Sequence, residues 1–246
     1  MNRKSAKKTA GRGRDGNKRW FYIALAAVLI VGIGTLSYLS VRPSQAVSQV
    51  DTTLPPITNQ GHVMGSDSAP LEVVEFGDFE CPGCGSFATL TEPDVRARLV
   101  NTGRIRFRYM DFPLSMHPNA WPAHLASWCA GEQGKFWEMH DAIFATQDRW
   151  NAQATRNPEK PLAEEARRIG LNMPQYQTCM STKKYYPQIR ANLEEGVRRG
   201  VPGTPTFFIG NLKIDRPIGY DQFKKYVDEA LAQSAASKAP AAKNPR

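Results

Sequence analysis

A pair of cysteines two residues apart, Cys81 and Cys84, is the feature that most restricts the fold of this chain. The pair closely follows residues 71–76 (LEVVEF), a run with the length and β-branched content of a buried strand. If a helix begins at the pair, Cys81 lies in its first turn, where unpaired backbone N–H groups and the helix dipole stabilise a thiolate. Pro82 suits a first helical turn, and Cys84 would lie one turn deeper. The pattern therefore predicts a reactive Cys81 with a shielded partner.

Two other uses of the cysteine pair are disfavoured. A zinc ribbon needs a second close pair, whereas Cys129 and Cys179 stand 50 positions apart and no pair of histidines fills the same role. A purely structural Cys81–Cys84 disulfide would close a very small loop and would restrict the unfolded chain little. We therefore predict a redox-active pair that needs no metal and no organic cofactor.

The segments around the pair predict a small sheet interrupted by helices. Residues 104–110 alternate apolar side chains with arginines, as a half-buried strand does, and residues 205–214 predict two strands joined by a tight turn at Gly210 and Asn211. Apolar residues recur at helical spacing through residues 118–199, enough for roughly four helices, and residues 220–231 predict a closing helix. This order indicates an α/β domain with a helical domain inserted into it.

Positive charge is concentrated at the N-terminus. Of the formal net charge of +9, +7 lies in residues 1–19 and only +2 in residues 20–246, so no nucleic-acid-binding surface is expected. The next 22 residues, 20–41, carry no charged side chain and are enough to cross the hydrocarbon core as a helix. Because a basic flank stays on the cytoplasmic side, we predict a single retained transmembrane helix with the remainder of the chain outside. A cleaved signal peptide is the alternative, with Ser44-Gln45-Ala46 as a weak cleavage site.

The chain is expected to divide into seven segments. Polar, proline-containing residues before the first strand predict an extended linker, and the Ala/Ser/Pro/Lys run at the end predicts a disordered tail. The expected segments are a basic cytoplasmic tail (1–19), the transmembrane anchor (20–41), the linker (42–68), the first part of the sheet domain (69–117), the helical insertion (118–199), the second part of the sheet domain (200–233) and the disordered tail (234–246).

Three motifs together resemble one known family. The runs EFGDFECPGC (75–84), EQGKFWEMHDAIF (132–144) and VPGTPTFFIG (201–210) are similar to those of the DsbA-like branch of the thioredoxin superfamily, which includes the membrane-anchored, BdbD-like proteins of bacteria. The resemblance covers roughly residues 60–232. It implies a thioredoxin fold with a helical insertion, with Cys81 as the nucleophile and Cys84 as its partner around the dipeptide Pro82-Gly83.

The resemblance also assigns three residues outside the cysteine motif. Glu75 occupies the place of a buried carboxylate behind Cys84, where a raised pKa would let it exchange protons with that thiol; a strand-end glutamate reaching water is the alternative. Thr204-Pro205 resembles the cis-proline loop that faces the disulfide and pairs with an extended substrate peptide. The chain departs from strong oxidases at Gly83, where those enzymes often carry a histidine.

The remaining cysteines and histidines have plainer interpretations. With Cys81 and Cys84 assigned to the active site, an oxidising compartment favours a structural Cys129–Cys179 disulfide over two buried free thiols. His117 could lie near the site, but a histidine at a helix start favours a packing or surface role. His140 favours core packing, as does a set of three tryptophans: Trp121, Trp128 and Trp137.

The resemblance implies an extracytoplasmic protein thiol–disulfide oxidoreductase at the bacterial inner membrane, most simply an oxidase that donates its disulfide to exported polypeptides with free thiols. A membrane partner of the DsbB or VKOR type would reoxidise it. A reductase or isomerase on the same scaffold is one alternative. A redox-inactive peptide-binding chaperone is another, although the presence of both cysteines disfavours it.

Overall fold

The computed structural model describes residues 16–40, 47–51, 53–57 and 60–238, with the side chains of residues 16–19, 36–40 and 237–238 left aside. The chain forms two compact units, residues 1–45 and residues 46–246. In the first unit a helix, α1, runs from Gly16 to Ser40. Over the described residues, no helix combines the length and the apolar character needed to cross a membrane. The transmembrane helix predicted at residues 20–41 is therefore not supported by the structure.

The second unit is built on a six-stranded sheet in the order β1-β6-β5-β3-β4-β2. Strand β3 lies at its centre, parallel to β4 and antiparallel to β5, and all other pairings are antiparallel. The strands are β1 (Val47–Gln49), β2 (His62–Met64), β3 (Glu72–Gly77), β4 (Arg106–Asp111), β5 (Thr206–Ile209) and β6 (Leu212–Ile214).

The two edge strands correct the prediction of an extended linker at residues 42–68. Val47 pairs with Ile214 on one edge of the sheet, and His62 pairs with Tyr109 on the other. Each edge strand has only three residues, too few to show the alternating pattern that identifies a strand in a sequence. Both are held through backbone hydrogen bonds to strands far along the chain, so the sheet begins well before residue 69.

Strand β4 forms as predicted, but it is buried rather than half-exposed. It lies between β3 and β2, and Arg108 is only 6% exposed. Its guanidinium group donates two hydrogen bonds of 3.0 Å to the carboxylate of Glu72 on β3. This bidentate ion pair compensates the buried charge of Arg108. The alternation of arginines in the sequence did not indicate the pairing.

Helices surround the sheet and fill the predicted insertion. The helix after β3 is α2 (Pro82–Leu90); α3 (Glu92–Val95) continues through a π-helical turn, Arg96–Val100. Between β4 and β5 lie six helices instead of roughly four: α4 (Ala120–Gly131), α5 (Phe136–Ala145), α6 (Gln147–Trp150), α7 (Glu159–Arg168), α8 (Met173–Ser181) and α9 (Tyr186–Arg198). The closing helix α10 (Tyr220–Lys238) extends past Ser234, so the predicted disordered tail is wrong up to residue 238; residues 239–246 lie outside the described part.

The cysteine pair lies where the sheet meets the insertion. Cys81 and Cys84 belong to the same apolar cluster as Phe79 of the preceding turn and Phe136 and Ile143 of α5. A second cluster packs α2 and α10 against the sheet through aromatic rings of both helices. The pair is therefore covered by the insertion on one side and anchored to the sheet on the other.

Candidate active site

Local structure places Cys81 at the very start of α2. It is the N-cap residue, in extended backbone geometry, and Pro82 is the first helical residue. The Cys81 N–H donates to the carbonyl of Asp78 at 3.1 Å, which fixes the turn between β3 and α2. Cys81 is 8% exposed and Cys84 is fully buried; both are free thiols in this structure. Both cysteines are therefore buried, and Cys84 is the more shielded of the two, as the sequence predicts.

The surroundings of Cys81 favour its thiolate. The pKa of Cys81 is lowered from 9.0 to about 6, chiefly because the thiol of Cys84 donates a hydrogen bond to its sulfur. The hydroxyl of Thr204 and the backbone N–H groups of Gly83 and Cys84 lower the pKa further, while burial opposes them. The open first turn of a helix supplies those N–H groups. The thiolate form of Cys81, which is the reactive form of a cysteine, is therefore favoured at neutral pH.

The groups behind Cys81 are shifted in the opposite direction. Burial raises the pKa of Cys84 well above 9.0, and the nearby charges of Cys81 and Glu75 raise it further. Glu75, on β3, is 1% exposed, and burial likewise raises its pKa well above 4.5. The alternative of a Glu75 side chain that reaches water is therefore wrong. A carboxyl group that holds its proton in this position can supply it to a Cys84 thiolate.

The loop before β5 forms the opposite wall of the site. The Thr204–Pro205 peptide bond is cis, and the sulfur of Cys81 donates a hydrogen bond of 3.2 Å to the Thr204 carbonyl. The Thr204 hydroxyl is buried and makes no hydrogen bond to a described residue. It can therefore donate to the sulfur when Cys81 is deprotonated, as its effect on the pKa of Cys81 indicates.

Gly83 has little room for a side chain. A Cβ atom there would lie 3.0 Å from Cγ of Pro217 and 3.2 Å from Cδ of Pro205, both tighter than ordinary contacts, and 3.7 Å from the sulfur of Cys81. Pro217 comes from the segment between β6 and α10, which the sequence did not connect with the site. Gly83 is therefore packed closely against Pro205 and Pro217, and a side chain at this position would require these rings to shift.

Asp78 links the cysteine turn to His117, for which the sequence favoured a packing or surface role. The fully buried Asp78 carboxylate lies 2.7 Å from Nδ1 of His117 and accepts a hydrogen bond of 2.8 Å from the Leu114 N–H. Its own N–H donates to the sulfur of Cys84 at 3.5 Å. The pKa of His117 is raised, chiefly by Asp78, with the charge of Cys81 also contributing. Of the two interpretations of His117, the structure therefore favours a place near the cysteine turn over a purely surface or packing role.

Two further polar side chains attach the site to the insertion. Gln147 of α6 donates to the carbonyls of Phe79 and Cys81, at 2.7 and 3.0 Å. The buried Glu80 carboxylate accepts hydrogen bonds from the N–H groups of Asn119 and Ala152, at 2.7 and 2.6 Å. These contacts form only in the tertiary fold, so the sequence did not predict them. The one sequence signal was that Glu80 directly precedes Cys81.

The other two cysteines form a disulfide within the helical insertion. Cys129 of α4 and Cys179 of α8 are bonded, and both are buried in the insertion. Trp121, Trp128 and Trp137 pack against the same core, as predicted. His140 is fully buried among aromatic rings, which confirms its place in the core, but it also has charged neighbours that the sequence did not indicate.

Comparison with known proteins agrees with this geometry. Residues 58–229 match the protein family described as thioredoxin. The probable disulfide bond formation protein D of Bacillus anthracis is 25% identical over 213 residues, which cover 83% of this chain and 92% of that protein. Among solved structures, alpha-DsbA1 of Wolbachia pipientis has a TM-score of 0.67 at 21% identity and covers 76% of this chain and 98% of its own. This last likeness concerns the fold alone.

Another relative is much longer than the region that it shares with this chain. A protein of Salinispora tropica named Na(+)/H(+) antiporter NhaA 3 is 32% identical over 186 residues, which cover 75% of this chain. The chain spans only 27% of that relative's length. The family match over 58–229, together with the Cys81–Cys84 turn and the Thr204–Pro205 loop, shows that this chain belongs to the thioredoxin family and has the fold of its DsbA-like members.

Proposed function

We propose that this protein is an extracytoplasmic thiol–disulfide oxidoreductase that acts as an oxidase, donating the Cys81–Cys84 disulfide to exported polypeptides. The observation that carries the proposal is the opposite shift of the two thiol pKa values: that of Cys81 falls to about 6 while that of Cys84 rises. Stabilisation of the Cys81 thiolate favours the reduced form of the enzyme. Passing the disulfide to a substrate is then favourable.

The groups in the site account for the bonds, the protons and the electrons of the proposed exchange. A substrate thiolate attacks the sulfur of Cys81 in the disulfide, a mixed disulfide forms, and Cys84 leaves as a thiolate. Glu75, whose raised pKa favours its protonated form, gives its proton to Cys84. A second substrate thiolate then attacks the first substrate sulfur, and Cys81 leaves as a stabilised thiolate. Two electrons pass from the substrate to the enzyme, and the substrate gains the disulfide.

Substrate binding is proposed for the loop that faces Cys81. The Thr204–Pro205 loop stands 3.2 Å from the reacting sulfur through its carbonyl oxygen. An extended peptide paired with the backbone of this loop would bring a cysteine to Cys81 with little dependence on sequence. This would suit a protein that oxidises many exported polypeptides.

Two alternatives use the same scaffold. A reductase would need a less stabilised Cys81 thiolate, an isomerase would use the reduced pair to attack substrate disulfides, and a redox-inactive chaperone would need no thiols at all. Incubation of the purified protein with a reduced, unfolded substrate separates them. Stoichiometric transfer of the disulfide, lost in C81S, supports the oxidase; catalysis of insulin reduction without net oxidation favours the reductase.

The membrane location and the reoxidant are further parts of the proposal. Anchoring rests on the 22 uncharged residues at 20–41 and the basic residues before them. Retention of the full-length chain in carbonate-washed membranes supports an anchor, whereas a soluble form beginning near Val47 would indicate a cleaved signal. A quinone-linked membrane protein of the DsbB or VKOR type would restore the disulfide, and its trapping as a mixed disulfide with C84A tests that step.

A further inference from the structure

The leaving group of the proposed exchange forms where the protein is fully closed to solvent. When a thiolate attacks the sulfur of Cys81, the electron pair of the broken S–S bond passes to Cys84, whose side chain is fully buried. Burial raises the pKa of that thiol well above 9.0, so its thiolate is poorly stabilised. A charge that develops in a buried site is best stabilised by a hydrogen-bond donor that is already fixed in place.

Asp78 supplies a donor at this position. It directly follows β3 and is fully buried, and its backbone N–H donates to the sulfur of Cys84 over 3.5 Å. This hydrogen bond lowers the pKa of Cys84, against the effect of burial. The carbonyl of Asp78 accepts the N–H of Cys81 at 3.1 Å. The backbone of one residue therefore contacts both cysteines of the motif.

Three donors hold the side chain of Asp78. Its Oδ1 accepts the N–H of Glu80 at 2.8 Å, and its Oδ2 accepts the N–H of Leu114 at 2.8 Å. Oδ2 also lies 2.7 Å from Nδ1 of His117, and we assign a proton to this nitrogen because a carboxylate oxygen accepts. Three donors restrict the buried carboxylate to one orientation, and the backbone N–H of the same residue is restricted with it.

Among these three donors, His117 alone acts through its side chain. The Glu80 N–H belongs to the same turn as Asp78, whereas Leu114 and His117 come from the segment between β4 and α4. The exchange described above gives His117 no part. Its imidazole can be replaced without removing a backbone group, so its contribution to the position of Asp78 can be measured by itself.

We propose that the backbone N–H of Asp78 stabilises the departing Cys84 thiolate and that His117 is the positioning residue that holds Asp78 for this role. The inference rests on the proposed thiol–disulfide exchange. The attacking thiolate forms a bond to Cys81, the Cys81–Cys84 bond breaks, and its electron pair goes to the sulfur that accepts from the Asp78 N–H. That N–H keeps its proton, and Glu75 supplies the proton that converts the thiolate to the thiol.

The rate at which dithiothreitol reduces the oxidised, full-length protein tests the proposal. H117A removes the side-chain donor to Asp78, whereas H117N keeps one, because the amide nitrogen of asparagine is two bonds from Cβ, as Nδ1 of histidine is. We expect a rate about tenfold lower in H117A, a smaller loss than removal of an oxyanion donor causes, because the N–H is displaced and not deleted. H117N should stay within about threefold of wild type.

The matched control is N192A. Asn192 is buried and donates at 2.6 Å to Asp111, whose carboxylate also bonds His124 and Trp128 instead of the cysteine turn. Like H117A, this variant takes one donor from a buried aspartate, so it measures how far a general loosening of the core slows the reaction. N192A should be reduced within about twofold of the wild-type rate.

Alkylation of the reduced protein separates stabilisation of Cys84 from distortion of the whole site. Iodoacetamide reacts with the Cys81 thiolate, and no bond to Cys84 breaks in that reaction. At pH 8, well above the Cys81 pKa of about 6, this thiolate is almost fully formed. H117A should therefore be alkylated within about twofold of the wild-type rate. Its equilibrium constant with glutathione should change as little, because Cys84 is uncharged both in the disulfide and as a thiol.

The outcomes distinguish this inference from the function on which it rests. A wild-type protein that does not exchange with dithiothreitol would overturn the proposed function. A wild type that exchanges, with H117A at the same rate, would overturn the inference alone. So would an H117N or N192A as slow as H117A, or an H117A that is slowed equally in reduction and alkylation. If H117A does not fold, H117Q replaces it, because its amide nitrogen lies one bond further from Cβ.

Discussion

The sulfur of Cys81 lies 3.2 Å from the carbonyl oxygen of Thr204, a residue 123 positions away in the chain. This contact joins the start of α2 to the loop before β5 and places the nucleophile against the backbone proposed to hold substrate. The Thr204 hydroxyl is buried beside it and has no hydrogen-bond partner among the described residues. The Thr204 side chain nevertheless contributes to the lowered pKa of Cys81, together with backbone N–H groups at the start of α2.

Removal of the Thr204 hydroxyl should make Cys81 less acidic. Because a hydrogen bond to a charged group contributes about 1.5 kcal/mol, T204V should raise the pKa of Cys81 by about one unit from its value near 6. T204S keeps the hydroxyl and is the matched control. The pH dependence of thiolate absorbance in the ultraviolet measures the pKa of each variant. Equal values for T204V and wild type would show that the hydroxyl does not act on the sulfur.

The reduced protein should gain stability as the pH rises from about 6 to about 9. In this window the native Cys81 has lost its proton while the unfolded thiol, with an ordinary pKa near 9.0, keeps it. The unfolded state then binds more protons, so the free energy of unfolding rises with pH, by at most about 4 kcal/mol before solvent screening.

Denaturant titrations of reduced wild type and reduced C81A measure this effect as the difference between the two proteins at each pH. The subtraction removes the opposite slope that the buried Glu75 contributes. The contribution of Cys81 is complete above pH 9 and disappears as the pH falls through 6. A difference that does not vary with pH would mean that the pKa of Cys81 is not lowered.

Gly83 and Pro217 should show energetic coupling. An alanine at position 83 would gain helix propensity worth up to about 1 kcal/mol, but its Cβ would lie 3.0 Å from the ring of Pro217. We expect G83A to be neutral or destabilising in wild type and stabilising in P217A, with a coupling energy of about 0.5–1 kcal/mol. Unfolding of the four proteins of this double-mutant cycle measures the coupling. Additive effects would show that the contact does not restrict position 83.

Loss of the Cys129–Cys179 disulfide should destabilise the protein without stopping exchange. The bond closes a loop across 50 positions inside the insertion, for which a loss of about 2–4 kcal/mol is expected in C129A/C179A. The Cys81–Cys84 pair should still react with dithiothreitol, which serves as the functional control. Labelling of both Cys129 and Cys179 by a thiol reagent in the native, unreduced protein would contradict the assignment.

The parts of the fold that the sequence predicted are those with strong local patterns. The central strand, the hairpin after Pro205 and the cysteine turn are each recognisable within about ten residues of sequence. Strands β1 and β2 were missed because each has three residues and depends on a partner strand for its hydrogen bonds. The burial of Arg108 was missed because Glu72, which pairs with its charge, lies 36 positions away.

Within the site, too, residues with a local sequence pattern were predicted and residues that depend on distant partners were not. Cys81 and Cys84 follow from the turn after one strand, whereas the assignment of Glu75 came from the family resemblance; its buried position agrees with the apolar run around it. His117 and His140 were interpreted as surface or packing residues because a single histidine carries no signal of its partners. Their acidic neighbours, Asp78 for His117 and Glu92 for His140, approach only through the tertiary fold.

The reduction potential of the Cys81–Cys84 pair tests the central claim most directly. Equilibration of the full-length protein with glutathione buffers, followed by quantification of its reduced and oxidised forms, gives the value. A Cys81 pKa near 6 stabilises the reduced form, while Gly83 supplies no side-chain donor. We therefore predict a potential nearer to the value of about −120 mV for DsbA than to that of about −270 mV for thioredoxin. A potential near −270 mV, with a measured Cys81 pKa close to 8, would contradict the oxidase assignment and indicate a reductase.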